Sequence, residues 1–441
     1  SVVQNGQVVM KKGYGFSNLS PRKPVDPDRT LFRIGSISKT FTWILLMKEI
    51  EAGRIRPDAP INLYLAERVR LPGRAREVTV RHLMEHTPGF EDRALGQLFE
   101  KDARRVRPLD LYLRQERPGM VRAPGRLSSY SNYGVALAGA AVTFGKGKTF
   151  ERMVEEEITV PLGMNHTTFR EPRPERRGLP AAMPQRLRDD VSAGYGWRNA
   201  GFVARDYEYI GHTAPAGAAS STAGDMARYM QMLLGDGQWN GRTIFGPRAA
   251  RAFRSELRQS PPGVNGWAHG FMVSHLPGGF TGYGHGGDTL AFHSSLLVVP
   301  ELGLGVFVTT NTESGAKLSY ALPDAVVRHF YAAAQTFPRP GSPALAEAGA
   351  PLFDGAYLST RRADGGLEGF VGLIIGASEV EVTSDGRLLT RSALGDAQAW
   401  VPEGPVAEGR FVSTQGDERL FFHMEQGRAA SYRSALNAET R

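Results

Sequence analysis

The 441-residue sequence contains no cysteine, which excludes disulfide staples and thiolate chemistry and fits either side of a membrane. Long apolar runs are also missing. The longest near the N-terminus, Trp43 to Met47, is far short of the ~20 residues a membrane-crossing helix needs. No basic-apolar-small succession marks a secretory leader. The chain begins at Ser1 rather than methionine, with residues that already read as a strand. Trimming of a preceding signal or anchor is therefore expected, and membrane contact only through such a removed anchor. A net charge of +8 is spread along the chain, with one denser stretch from Arg170 to Arg188 that is interleaved with Pro and Glu. With no basic helix and no zinc knuckle, no nucleic-acid partner is expected.

What is present describes a globular protein: 41% hydrophobic and 22% charged residues, in a chain long enough for two or three cores. "SVVQNGQVVMKKGYGFSNL" alternates apolar and polar residues around Asn5-Gly6, a hairpin signal. "GSISKTFTWILLMKEIEAG" (35–53) reads as a helix ended by Gly53. From about 56 to 250 the pattern is mostly helical, clearest in "TAGDMARYMQMLLGDG", where Met226, Tyr229, Met230, Leu233 and Leu234 fall at helical spacing. Strands return in "GWAHGFMVSHL", "TLAFHSSLLVVP" and "LGVFVTTN", followed by a helix, "KLSYALPDAVVRHFYAAA". Joining both strand sets predicts an α/β (α+β) fold, one antiparallel sheet flanked by helices with a helical lobe and a cleft between them. A Pro/Gly/Ala linker, 337–351, separates this 1–336 unit from a small all-β domain, 352–441, with Asp-Gly and Gln-Gly turns and no clustered chemistry.

Three short motifs carry chemistry. Ser36 and Lys39 stand three apart at a helix start, so both side chains reach one face, where a lysine kept neutral by burial can take a serine proton. A serine there is also a favoured cap, and Ser36 and Ser38 both suit that role. Tyr130-Ser131-Asn132 precedes a helix of small residues. The tyrosine can relay a proton, and the asparagine can hold a substrate amide by donor and acceptor together. His285-Gly286-Gly287-Asp288 stands where a strand should begin. Its glycines permit close backbone approach, and the N–H groups of Ser36 and Asp288 would then suit an oxyanion.

In order and rough spacing, these motifs resemble the serine β-lactamase/penicillin-binding-protein superfamily. The likeness is to the class C branch with its related carboxylesterases and D-aminopeptidases. "HLMEHTPGF" (82–90), "PLGM" (161–164), "SSTAGDMARYM" (220–230) and "VVPELGLGVFVTTN" (298–311) also look like that family, so the resemblance spans roughly residues 1 to 335. The C-terminal domain is similar to an accessory domain that follows such hydrolase domains. The resemblance implies Ser36 as acylated nucleophile, Lys39 as its activator, Tyr130 as general acid/base and Asn132 as substrate holder. His285, Gly287 and Asp288 would form the substrate and oxyanion side, with the helix cap left to Ser38.

His285 stands where many relatives have the lysine of Lys-Thr-Gly. A histidine is only partly charged at neutral pH, which favours esters or neutral amides over carboxylate-bearing substrates. The implied function is a serine hydrolase acting through an acyl-enzyme on a small-molecule or peptide ester or amide, with no metal and no cofactor. The alternative is a penicillin-binding-like protein that is acylated without efficient turnover. Relatives of this type act in the bacterial envelope, so an extracytoplasmic location is implied by resemblance alone. The inverted-zincin pattern in His82 to His86 is cut short by Thr87-Pro88-Gly89, and "GKGKT" (145–149) lacks the first glycine of a phosphate loop, having Val142.

Overall fold

A computed structural model describes residues 1–93, 98–392, 397–433 and 439–440. The first strands, β1 (Val2–Gln4) and β2 (Gln7–Met10), are joined through Asn5 and Gly6 at φ of 49° and 76°. Two consecutive positive φ values are what a two-residue hairpin turn requires. Five later strands complete one sheet: β3 (Gly266–Ala268), β4 (Phe271–His275), β5 (Thr281–Asp288), β6 (His293–Val299) and β7 (Leu304–Thr310). The seven strands run β3-β4-β5-β6-β7-β1-β2, antiparallel at every pairing. The expected union of both ends of the sequence in one sheet is thus realised. The N-terminal amine of Ser1 donates to the Phe307 carbonyl at 2.7 Å.

Helix α1 (Ser38–Glu51) is buried at every position from Ser38 to Met47. A helix apolar on all sides belongs at the centre of a fold. Helix α2 (Asn132–Thr143) packs against it. Its run of small residues allows close contact: a Cβ on Gly139 would come within 2.2 Å of Pro215. Helix α3 (Ala223–Leu234) begins at Thr222, whose side chain accepts from the Asp225 N–H, and buries Met226, Tyr229, Met230 and Leu233 against β7. Helix α4 (Ala316–Tyr331) also lies along β6 and β7.

The 56–250 region is less helical than its pattern suggests. Besides short helices and turns it contains a hairpin, Gly194–Arg198 with Gly201–Arg205, turning on Asn199 and Ala200 at φ of 48° and 61°. Alanine is a poor residue for a left-handed turn, so this hairpin carried little local signal.

The C-terminal part is a closed eight-stranded antiparallel barrel, from β8 (Gly355–Ser359) to Glu439–Thr440. Its interior is filled by Phe353, Tyr357, Trp400, Phe411 and Phe422. The 337–351 linker is not a plain tether. Ser342 caps a helix, Pro343–Ala348, and Leu345 of that helix is wholly buried in the barrel core. Truncating a side chain so enclosed costs about 2–5 kcal/mol. Leu345→Ala is therefore expected to lower the urea midpoint of the barrel, followed by Trp400-sensitive fluorescence; an unchanged midpoint would remove Leu345 from its core.

Candidate active site

Ser36 lies in the 3-10 turn Gly35–Ile37 that leads into α1. Between Leu31 and Thr40 it is the one residue not buried. The turn is pressed against β5. Gly35 has φ +50°, and a Cβ there would meet the Asp288 nitrogen at 2.7 Å; a Cβ on Gly287 would meet the Ile34 carbonyl oxygen at 2.0 Å and the Ser36 nitrogen at 3.1 Å. The two glycines therefore bring the backbones of Ser36 and Asp288 side by side. The expected cap at Ser38 is not formed. The hydroxyl of Ser38, the first residue of α1, instead donates to the Gly35 carbonyl at 2.6 Å and accepts the Ala219 N–H at 3.0 Å. It holds the turn rather than the helix end.

Lys39 is completely buried. Its Nζ lies 2.9 Å from Ser36 Oγ and 2.6 Å from the Ala216 carbonyl, which accepts from it. Loss of water around the amine, with a smaller contribution from the positive charge of Arg361, pulls its pKa well below that of an ordinary lysine. An ammonium has three protons to place, and the two polar partners here suit a neutral amine better.

Tyr130 enters from the segment before α2. Ser131 caps that helix by accepting the Gly134 N–H at 3.0 Å, which leaves Asn132 as its first residue and lets it line the cleft. The Tyr130 hydroxyl is hydrogen-bonded to Ser36, and burial raises its pKa. Lys39 Nζ stands 4.9 Å from the centre of the Tyr130 ring. His86, read from the sequence as part of a family-like stretch and of the zincin-like pattern, stacks on that ring at 4.6 Å and 21°. Its Nδ1 accepts the Ser131 N–H at 3.1 Å, and Trp267 packs on it at 4.2 Å. His82 does something different: its Nδ1 accepts the Thr79 N–H in the capping box of the helix Val80–Met84. The two histidines of the zincin-like pattern thus serve separate structural roles.

His285 lies on β5 and is buried. A carbonyl can only accept, so the 2.5 Å contact between its Nδ1 and the Gly286 oxygen puts the ring proton on Nδ1. Burial lowers its pKa to about 3. The partial charge expected at this position is absent at neutral pH, because desolvation outweighs every stabilising contact. Asp288 ends the strand, where its carboxylate receives Tyr320 Oη at 2.5 Å and lies 2.5 Å from His293 Nδ1.

These groups surround a cleft of about 580 Å³ lined by Ser36, Tyr130, Asn132, His285, Asp288 and Arg361. Gly287 shapes its wall through the backbone. Sequence reasoning missed Arg361 entirely. It sits after β8, in the part of the chain where no chemistry was expected, and its guanidinium lies 4.6 Å from the centre of the Tyr130 ring. Nothing in "LSTRRADGG" distinguishes it from any surface arginine; only the docking of the barrel brings it here.

Comparison with known proteins gives a match of residues 1–328 to the family model described as Beta-lactamase. Esterase EstB of Burkholderia gladioli is 26% identical over 354 residues, covering 74% of this chain and 89% of that protein. The D-alanyl-D-alanine-carboxypeptidase/endopeptidase AmpH of Escherichia coli K12 is 25% identical over 330 residues, 70% of this chain and 77% of its own. Among solved structures, the octameric penicillin-binding protein homologue from Pyrococcus abyssi covers 100% of this chain and 95% of its own at 22% identity, with a TM-score of 0.62. SurE, at 23% identity and a TM-score of 0.66, covers 100% of this chain and 94% of its own. These structures share the fold over both parts of the chain.

The close approach at Gly287 gives a direct test. Adding one methyl group must push β5 off the Ser36 turn. Misplacement by about 1 Å can cost about 10² in rate. Gly287→Ala should therefore fold, by circular dichroism, yet react with an active-site serine probe about 10²-fold more slowly. A wild-type rate would mean that this backbone contact does not set the reactive geometry.

Proposed function

The chain belongs to the β-lactamase family, and from that premise we propose that it is a serine hydrolase acting through an acyl-enzyme on an ester or amide. The observation that carries the reading is the buried amine of Lys39 against Ser36 Oγ at 2.9 Å, with Tyr130 hydrogen-bonded to the same serine. In the neutral amine the nitrogen lone pair accepts the serine proton as Oγ attacks the carbonyl carbon. The tetrahedral oxyanion is met by the N–H groups of Ser36 and Asp288, whose backbones the two glycines bring together. The Tyr130 hydroxyl hands a proton to the leaving group, and as the carbonyl C–O or C–N bond breaks the acyl group stays on Ser36. In the second half Tyr130, left as a phenolate, takes a proton from water as the water oxygen attacks the acyl ester; when the ester C–O bond breaks, Lys39 returns its proton to Ser36 Oγ and both residues are restored.

Asn132 orients the acyl amide or ester oxygen from the cleft wall. His285, neutral with Nδ1 committed to Gly286, presents its other nitrogen as an acceptor and not as a cation. The relatives named as an esterase and a carboxypeptidase support the breadth of this reading, small-molecule or peptide esters and amides alike. The proposal extends to an extracytoplasmic site of action. Among the described residues no helix is long and apolar enough to cross a membrane.

Intact-mass analysis after treatment with a fluorophosphonate tests the nucleophile. One adduct on the wild type and none on Ser36→Ala is expected; a label that persists in Ser36→Ala assigns the chemistry elsewhere. Labelling without measurable turnover of p-nitrophenyl esters, nitrocefin or D-amino-acid amides would instead describe a protein that is acylated and stalls.

The amine predicts a pH dependence. Its pKa is lowered on folding, so the reactive neutral form is populated above that lowered value and is lost as pH falls through it. Acylation should decline on the acid side well below the ordinary lysine range, about 10.4. In Lys39→Ala the rate should fall steeply and this acid limb should vanish. A limb that survives unchanged belongs to another group.

A further inference from the structure

The cleft lacks a permanent cation from the sheet, since His285 is neutral, yet it has one from the barrel. We propose that Arg361, carried into the cleft by the loop after β8, forms a binding subsite for a carboxylate on the substrate; this rests on reading Ser36 as the centre of an acyl-transfer site. A guanidinium is always charged and matches a carboxylate with two parallel hydrogen bonds. Apart from His285, Arg361 is the only basic side chain lining the cleft among the described residues.

Its geometry is that of an anchored group. Arg361 Nε donates to Asp92 Oδ2 at 2.8 Å, which fixes the plane of the guanidinium. Among the described residues its two terminal nitrogens make no hydrogen bond, and the side chain retains 42% of its exposure. The guanidinium carbon lies 4.6 Å from the centre of the Tyr130 ring, whose hydroxyl is hydrogen-bonded to Ser36, and Arg361 and Ser36 line the same cleft.

The loop itself is pinned on both sides of Arg361. Thr360 Oγ1 donates to the Ser128 carbonyl at 2.7 Å, and Ser129 Oγ donates to the Thr360 carbonyl at 2.8 Å. The Asp92 N–H donates to the Arg362 carbonyl at 2.9 Å. Further along, the N–H groups of Asp364 and Gly365 donate to Glu91 Oε2 at 3.0 and 3.2 Å. Ser128 and Ser129 immediately precede Tyr130, so the same backbone carries both the tyrosine and the grip on the loop.

The cleft's own carboxylates would oppose an anion, and their positions limit where one can sit. Asp288 is engaged by Tyr320 and His293, and Asp324 lies half-buried on α4. The terminal nitrogens of Arg361, whose side chain lines the cleft, are the place where a substrate carboxylate gains a partner.

Two pairs, each with one member bearing a carboxylate and one neutral, test the subsite: mono-p-nitrophenyl glutarate against p-nitrophenyl butyrate for the acyl side, and N-benzoylglycyl thioglycolate against its methyl ester for the leaving side. In at least one pair the wild type should prefer the anionic member. Arg361→Met should reduce that anionic-to-neutral ratio of kcat/KM about 10- to 10²-fold, chiefly through KM, and Arg361→Lys should restore part of it. A ratio unchanged in Arg361→Met overturns the subsite, even if both rates fall together.

Calorimetric binding separates this proposal from the catalytic one. Ser36→Ala should bind the anionic member of the selected pair at least about tenfold more tightly than the neutral one, and Ser36→Ala/Arg361→Met should lose the difference. Charge-selective binding by a wild type that hydrolyses nothing would fell the hydrolase reading and leave the subsite standing. Equal binding of both esters would do the reverse.

Discussion

The whole hydrolase-like part of the chain is organised around keeping water away from one amine. Lys39 sits in the first turn of a helix that is buried on all sides there, with a serine oxygen and one carbonyl as its polar neighbours. A charged lysine in that position would carry a large solvation penalty, so the site favours the form with a free lone pair. The surrounding features serve that end. Small residues on α2 let the helices close over α1, Ser38 ties the preceding turn to Ala219, and Gly35 and Gly287 let β5 press on the same turn. The reactivity proposed for Ser36 is therefore a consequence of packing as much as of local sequence.

Burial acts in opposite functional directions on the two nitrogen bases of the cleft. It leaves the Lys39 lone pair free by lowering the amine's pKa well below the ordinary lysine value, and it removes His285 as a source of charge by lowering its pKa to about 3. The electrostatic task that a sheet-borne cation would perform has no candidate on β5. Arg361 arrives from a different core, held by contacts that surround Tyr130. The two parts of the chain therefore contribute different things to one cleft: the groups proposed to react on one side and a guanidinium on the other.

Much of this was legible in the sequence because the signals were local. Asn5-Gly6 specifies a hairpin, Thr222 and the spacing of Met226, Tyr229, Met230 and Leu233 specify α3, and Ser36 with Lys39 needs only one helical turn to meet. The cap at Ser38 was misread because a serine at a helix start has several ways to use its hydroxyl, and tertiary contact with Ala219 won. The hairpin at Asn199-Ala200 was hidden by a residue that rarely turns that way. His86 and Arg361 were out of reach for another reason. Their roles arise from ring stacking and loop docking between segments far apart in the chain, and neither leaves a pattern of spacing.

The hairpin at the very start of the sheet has a consequence for the order of folding. β1 lies between β2 and β7, and Val2 pairs with Val306. During vectorial synthesis β1 and β2 can form their two-residue turn at once, but one edge of β1 stays open until some three hundred further residues have emerged, the 306-residue separation of Ser1 from Phe307. Such late pairing raises contact order and slows folding. Through that interval the nascent hairpin presents an unpaired strand edge, the kind of surface to which another chain can add. Within this sheet, β1 is thus among the last strands to be enclosed.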